Sequence, residues 1–116
     1  MDLFRKILME VEAAPPTVHW FSFTIPGYTP DAVWYHAQLV HDKGFIHARF
    51  LPGTYEFAVQ RLTADGHEFL DMARDDTRWN HAKDKVKSTT GSLTVEGLKT
   101  VLSAMIQAAL RTAIGA

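Results

Sequence analysis

An α+β fold of the winged-helix type, with extra C-terminal helices, is predicted by three observations. A helical pattern ends at Gly44, which supplies a left-handed stop. Two alternating segments follow, joined by the turn signal Pro52-Gly53. A new helical pattern begins after Thr63, a residue suited to capping a helix. The predicted order is therefore helix, strand, helix, two-stranded wing and further helices.

Composition indicates one ordinary globular domain. The chain has 116 residues, of which 47% are hydrophobic and 22% charged, with a net charge of −1. It has no cysteine, which excludes disulfides and thiolate ligands. No apolar run approaches the roughly 20 residues of a membrane span. We therefore expect a cytoplasmic protein without membrane association, and its overall charge does not attract nucleic acid.

The first predicted helix covers residues 3–13. Its apolar residues recur at three- and four-residue spacings, which gives one apolar stripe. Asp2 is predicted to cap this helix, and Pro15 and Pro16 to end it.

A strand and a second helix are predicted next. Residues 19–25 alternate between two faces, which is typical of a strand, and Pro26-Gly27 signals a turn. Thr29 is a suitable cap for a helix over 30–43.

The C-terminal half is predicted to contain an interrupted helix and a last helix. The apolar face changes direction across residues 74–77, which are rich in cap-forming side chains. Residues 88–91 are predicted to be a linker, and Thr94 to cap the last helix. We therefore predict a winged-helix-like part over residues 1–90 and a C-terminal amphipathic helix within 91–116, in a single domain overall.

The last helix carries an apolar surface that covers about half its circumference. Two interpretations stay open, because the helix either packs between its own domain core and the first helix or pairs with a second copy. The residues predicted to mediate dimerisation are Leu98, Leu102, Met105, Ile106 and Ala109.

Four segments resemble a known family. They are DLFRKILMEVE, GYTPDAVWYHAQLVHDKGFI, LTADGHEFLDMARDDTRWNHAKDKV and GSLTVEGLKTVL. The chain is similar to small bacterial and phage proteins known only as domain of unknown function twenty-five-thirteen. The resemblance implies a winged-helix-like fold and no known activity, so no functional residues are carried over. Its phage members suggest one concrete hypothesis, an element-encoded inhibitor of a host defence or regulatory complex.

DNA binding is the function usually associated with this architecture, but the charges disfavour it. In the 30–43 helix the predicted buried arc comprises Val33, Tyr35, His36, Ala37, Leu39 and Val40. The outward stripe lacks Lys and Arg and is flanked by Asp31 and Asp42, which would repel phosphates. A DNA-binding regulator therefore stays the alternative hypothesis, with contacts through Arg49, Arg61, Lys83, Lys85 and Lys87.

Protein binding is the favoured hypothesis. The outward stripe of the 30–43 helix consists of Trp34, Gln38 and His41, and Trp20 lies on the outer face of the preceding strand. Tryptophan is the residue most typical of binding hot spots. The other interpretation of Trp34 is that it packs under a neighbouring segment, such as the last helix or the N-terminal strand.

Neither catalysis nor metal binding is expected. His67, Asp71 and Asp75 recur at four-residue spacing and would share one face of a continuous helix. However, HEFLD is not the HExxH zinc motif, and the sequence has no nucleophile elbow, phosphate loop or dinucleotide fingerprint. We predict a non-enzymatic protein without metal or cofactor.

Overall fold

The computed structural model describes residues 1–15 and 19–115, which adopt an α+β fold. These residues form five helices and one two-stranded antiparallel sheet. The chain comprises two compact units, Met1–Leu70 and Asp71–Ala116. Both of the last two helices therefore belong to the second unit, where they pack on each other. The predicted parts, residues 1–90 and 91–116 within a single domain overall, stay a prediction.

The first helix, α1 (Asp2–Ala13), supplies one wall of the first unit. Its predicted apolar stripe is buried and consists of Leu3, Phe4, Ile7, Leu8 and Val11. The prediction for Asp2 was wrong, because Met1 occupies the N-cap position and Asp2 lies within the first turn. The backbone of Ala14 is extended before Pro15, as a residue that precedes proline prefers. Pro16, the other predicted stop, lies outside the described residues.

Residues 19–25 are not the strand that the sequence predicted. Only Phe21 pairs with the sheet, in an isolated bridge with Val59 of β2 (Phe57–Leu62). The Phe21 N–H donates to the Val59 carbonyl at 3.0 Å, and the Val59 N–H donates back at 2.8 Å. Alternation favours an extended chain, but a strand also needs a paired neighbour over several residues, which this segment lacks.

The turn and the second helix agree with the sequence in outline. Gly27 has a φ of 87°, and the Tyr28 N–H donates to the Ile25 carbonyl at 3.2 Å, which confirms the turn. The second helix, α2 (Pro30–Asp42), begins after Thr29 as predicted, although the Thr29 side chain accepts no capping hydrogen bond. Gly44 has a φ of 75°, which confirms the left-handed stop.

The buried arc of α2 is narrower than predicted. Val33, Ala37 and Val40 are buried at i, i+4 and i+7. Tyr35 was wrongly placed in this arc and is 56% exposed. Two residues beyond Val33, it is about 200° around the helix and therefore points away from the core.

The strands β1 (Ile46–Phe50) and β2 form the predicted hairpin. Burial alternates along β1, with Ile46, Ala48 and Phe50 facing inward. A register shift between His47 and Ala48 leaves Gln60 as the extra residue of a bulge. Residues 51–56 close the hairpin, where the Leu51 N–H donates to the Glu56 carbonyl at 3.1 Å and Gly53 has a φ of 79°.

The third helix, α3 (Ala64–Ala73), approaches the backbone of the first unit closely. The Gly66 N–H donates to the Thr63 hydroxyl at 3.0 Å, which confirms Thr63 as the cap. A Cβ atom on Gly66 would lie 2.1 Å from the Phe45 carbonyl oxygen. Phe45 and Phe69 stack at 5.2 Å between ring centroids, and Phe4 meets both rings edge-on.

The second unit confirms the predicted helix break. Asp75 caps α4 (Asp76–Thr90), and its carboxylate accepts the Arg78 N–H at 2.8 Å. The predicted linker was placed too early, since residues 88–90 belong to α4 and only Gly91, with a φ of 79°, ends it. The hydroxyls of Thr89 and Thr90 donate to backbone carbonyls four residues earlier, which accommodates them within the helix.

The last helix, α5 (Val95–Ala113), begins as predicted, because the Thr94 hydroxyl accepts the Gly97 N–H at 3.0 Å. Its N-terminal half is buried through Val95, Leu98 and Leu102. Its C-terminal end is exposed, with Leu110 and Ile114 both accessible. Ala116, the end of the predicted C-terminal segment, lies outside the described residues. Within the described ranges, no helix has the length and apolar character needed to cross a membrane.

Candidate functional site

A groove of about 700 Å³ opens in the first unit, between residues 22–30 and the β1–β2 hairpin. Val33 of α2 also contributes to its wall. The lining is largely aromatic and includes Phe23, Tyr28, Phe50, Tyr55 and Phe57. Concave, mostly apolar sites of this size are typical of ligand- and peptide-binding surfaces.

The aromatic rings of the groove hold one another in place. Phe57 meets Phe23 edge-on at 5.3 Å between ring centroids and stacks on Phe50 at 5.9 Å. Tyr55, in the loop that closes the hairpin, remains 61% exposed. The groove therefore has a packed aromatic wall and an accessible aromatic rim.

Trp34 packs against the loop that closes the hairpin. Its ring meets Phe50 and Tyr55 edge-on at 6.0 and 5.9 Å between centroids. Its Nε1–H donates to the Glu56 carbonyl at 3.3 Å. Trp34 is half-buried and does pack against a neighbouring segment, which is this loop. Trp34 therefore contacts three residues that line the groove, while part of its own surface stays accessible.

The other residues of the predicted α2 stripe lie near the same hairpin. His41 is exposed, and its ring meets Phe50 at 5.5 Å between centroids. Gln38 is half-buried between these two positions on the helix. The structure thus brings the three α2 residues proposed for protein binding to the hairpin face of α2.

Trp20 and Arg49 form a pair that the sequence did not predict. The Arg49 guanidinium lies 4.4 Å from the Trp20 ring centroid, and Trp20 is 38% exposed. Arg49 lines the groove, so Trp20 borders it through this contact. One residue proposed for protein binding and one proposed for DNA binding therefore belong to the same surface.

The remaining basic candidates differ in their surroundings. Arg61 pairs across the sheet with His47, and its Nη1 donates to the Leu62 carbonyl at 3.0 Å. The three lysines belong to α4 in the second unit, where the Lys83 Nζ lies 5.9 Å from the Trp79 ring centroid. Lys85 and Lys87 are exposed on that helix.

The predicted dimerisation residues differ in accessibility. Leu98 and Leu102 have no exposed surface, so they contribute to the buried side of α5. Met105 and Ile106 are half-buried, and Ala109 is exposed. Only these last three are accessible to a second copy.

The residues considered for metal binding have other roles. Asp71 forms a salt bridge with Arg74 at 2.8 Å. Asp75 is not on the same helix as His67, because α3 ends at Ala73, and it caps α4 instead. Within residues 1–15 and 19–115, no group of three or more His, Asp or Glu side chains is arranged to hold a metal ion.

Electrostatics at the start of α2 favour a charged carboxylate. The Thr29 side chain hydrogen-bonds to the Asp31 carboxylate, which lowers the pKa of Asp31 below its usual value. Asp31 is exposed and retains its negative charge under ordinary conditions. This end of α2 therefore carries a negative side-chain charge.

Most groove residues escaped the sequence analysis. Phe23 was assigned to a strand face, and Tyr28 and Tyr55 received no role. The available signal was the density of aromatic residues on both sides of α2, between Trp20 and Phe57. The bridge between Phe21 and Val59 places these two stretches side by side. Nothing in the sequence indicated that bridge.

Comparison with known proteins gives a family but no activity. Residues 1–92 match the model of the family DUF2513, whose description is "Hypothetical protein". The chain is also similar to an uncharacterized protein of Haemophilus influenzae (strain ATCC 51907 / DSM 11121 / KW20 / Rd). The two are 34% identical over 110 residues, which cover 90% of this chain and 92% of that protein. No solved structure matches the chain. The chain belongs to the DUF2513 family.

Proposed function

We propose that this protein acts without enzymatic activity, by binding another protein through the aromatic groove and the adjoining face of α2. The observation that carries the proposal is the groove itself, in which a packed wall of phenylalanines stands behind accessible tyrosines. Aromatic residues in well-packed pockets are prominent among the few residues that dominate the binding energy of protein interfaces. The interface would comprise Tyr55 at the rim and Trp34, Gln38 and His41 beside it, with Trp20 next to Arg49 of the groove lining.

A winged-helix-like arrangement is part of the same proposal. The order α1, bridge residue Phe21, α2 and a β-hairpin supports it, because the bridge adds a third extended segment to the hairpin. In this arrangement α2 and the hairpin form one continuous face. We propose that the face usually associated with DNA serves a protein partner here.

Removal of the exposed Tyr55 ring at the rim of the groove should weaken binding of the partner. We expect Tyr55→Ala to reduce capture of a specific protein from a lysate of the natural host, measured by quantitative mass spectrometry. Tyr35→Ala is the matched control, because Tyr35 is similarly exposed on α2 but does not line the groove. Equal capture by the wild type and by both variants would contradict a role for the groove.

DNA binding is the alternative, and the exposed His47, Arg49 and Arg61 on the outer face of the hairpin favour it. A regulator that neutralises several phosphates loses affinity steeply as salt rises. We expect no measurable duplex binding by fluorescence anisotropy even at about 50 mM salt. Steeply salt-dependent binding that Arg49→Gln and Arg61→Gln both weaken would favour the alternative.

One concrete form of the proposal is an inhibitor, encoded by a mobile element, of a host defence or regulatory complex. The resemblance to phage proteins motivates it. The same capture experiment tests it, because the specific partner should then be a subunit of such a complex. A partner from core metabolism would contradict this form and leave protein binding itself intact.

A further inference from the structure

We infer that the groove recognises an extended peptide segment in which a large apolar side chain is flanked by acidic residues. The inference rests on the proposed function and specifies the chemistry of the partner. Three features carry it, namely the cations at the groove, the unpaired edge of β2 and the aromatic interior.

Two cations at the groove are oriented by aromatic rings instead of carboxylates. Arg49 lies over Trp20 at 4.4 Å, and the Lys6 Nζ lies 5.5 Å from the ring centroid of Tyr28, which lines the groove. No carboxylate in the described part of the chain forms a salt bridge with either cation. A cation–π contact occupies the face of a guanidinium and leaves its N–H donors free, so Arg49 is able to donate two hydrogen bonds to one carboxylate.

Charges of both signs lie at the groove. Arg49 and Glu56 are the charged residues of its lining, Lys6 lies against Tyr28, which lines it, and Asp31 follows the lining residue Pro30. Because Arg49 and Lys6 contact aromatic rings and not carboxylates, a carboxylate of the partner would be bound by these individual cations and not by a net charge of the surface.

The edge of β2 beside the groove presents free backbone groups. Val59 exchanges both of its backbone hydrogen bonds with Phe21, and the Glu56 carbonyl accepts from Leu51 on the opposite side. Alternation along an antiparallel strand therefore directs the N–H and carbonyl of Phe57 away from β1, toward residues 22–24. Throughout the described residues, no hydrogen bond joins Phe57 to that segment. An extended peptide satisfies such an edge, as in strand addition.

The interior of the groove suits an apolar side chain. Phe23, Phe50 and Phe57 form its wall, and Val33 and Ala58 complete it. Nucleic-acid binding needs several phosphates to be neutralised at once, whereas Arg49 is the cation in this lining, which suits a peptide that offers one carboxylate beside its apolar side chain. The occupant is thus an extended peptide that offers main-chain groups to Phe57, an apolar side chain to the aromatic wall and a carboxylate to Arg49.

A random 12-residue peptide display library, selected on the full-length protein, tests this inference. We expect enriched sequences to combine a large apolar residue with Asp or Glu one or two positions away. Selection on Arg49→Gln should retain the apolar residue and lose the acidic preference. Arg61→Gln is the matched control, because Arg61 is also exposed on the hairpin but does not line the groove.

Synthetic copies of the selected peptides give the quantitative test. Replacing their acidic residues by Asn or Gln should weaken binding to the wild type about three- to fivefold, the effect of a partly exposed ion pair. The same replacement should have no effect on Arg49→Gln. Enrichment without acidic residues, absence of enrichment, or an equal effect in both proteins would overturn the inference. If Tyr55→Ala still abolishes partner capture in that case, the proposed function stands and only the peptide chemistry is wrong.

Discussion

At the scale of single residues, Trp34 shows how a neighbouring loop determines a side chain's role. The sequence left open whether Trp34 was an exposed hot spot or a packed residue. Its Nε1–H reaches the Glu56 carbonyl, and its ring meets two rings of the hairpin. Because these contacts connect α2 to the groove wall, Trp34 contributes to local order as well as to the surface.

Trp34→Ala should therefore cause a moderate loss of stability. We expect the free energy of unfolding to fall by about 1–3 kcal/mol, less than the 3–5 kcal/mol typical of a fully buried Trp, and the circular-dichroism spectrum to be retained. Trp34→Phe, which keeps a ring and removes the N–H donor, should lose less. Complete unfolding of Trp34→Ala in a thermal melt would instead identify Trp34 as a core residue.

Gly66 is required because α3 passes close to the backbone of Phe45. An added Cβ would lie 2.1 Å from the Phe45 carbonyl oxygen, a backbone atom that already accepts the Thr63 N–H at 2.9 Å. Overpacking of this kind costs about 1–3 kcal/mol, more than the roughly 1 kcal/mol that Ala gains over Gly in a helix.

We therefore expect Gly66→Ala to lower the free energy of unfolding in urea titrations. Gly97→Ala is a useful comparison, because the atoms within 3 Å of its added Cβ belong to the side chains of Thr94 and Val86 and not to the backbone. A variant with Gly66→Ala as stable as the wild type would contradict the close approach.

At the scale of secondary-structure elements, the break between α3 and α4 was predictable because it depends on local chemistry. Asp75 supplies a capping carboxylate, and the apolar face changes direction on either side of it. Thr63 and Thr94 were predictable for the same reason. Each interaction spans three residues, so the sequence alone contains both partners.

Elements that depend on distant partners were harder to predict. Residues 19–25 alternate like a strand, but the number of paired residues depends on β2, almost 40 positions later. The end of α4 was placed too early because Ser and Thr usually favour loops, whereas here their hydroxyls bond to carbonyls of the preceding turn. The groove was not predicted because its walls come from stretches of chain that are separate in the sequence.

The Asp75 cap gives a prediction at this scale. Asp75→Ala removes the acceptor of the Arg78 N–H and should lower the free energy of unfolding by about 1 kcal/mol. Asp75→Asn, which keeps a side-chain oxygen, should lose only a small part of that. Equal stabilities of the Ala and Asn variants in thermal melts would show that the hydrogen bond does not matter.

At the scale of the whole molecule, the two compact units have different surfaces. The first unit carries the groove. The second ends in α5, whose apolar face is buried in its N-terminal half and exposed toward its C-terminal end. Ala109 continues the helix face of Leu98 and Leu102, yet those two are buried and Ala109 is exposed. The end of α5 is therefore the part of the predicted dimer surface that a second copy could cover.

We predict concentration-dependent self-association through this end of α5. Light scattering at high concentration should report a mass that approaches twice the 13.0 kDa of one chain. Ala109→Glu should abolish the association, and Ala104→Glu, exposed on the opposite side of α5, should not. A mass of one chain at every concentration would remove the prediction.

The bridge between Phe21 and Val59 has a consequence for hydrogen exchange. Val59 is fully buried and its N–H donates to the Phe21 carbonyl. The Val59 amide proton should therefore exchange slowly with solvent deuterium. Among the described residues the Phe57 amide, two positions earlier on the same edge, has no such partner, so it should exchange rapidly. A comparison of the exchange rates of these two amides therefore reports binding at this edge of β2. An extended chain that joins this edge should slow the exchange at Phe57 and leave Val59 unchanged, even before the bound molecule is identified.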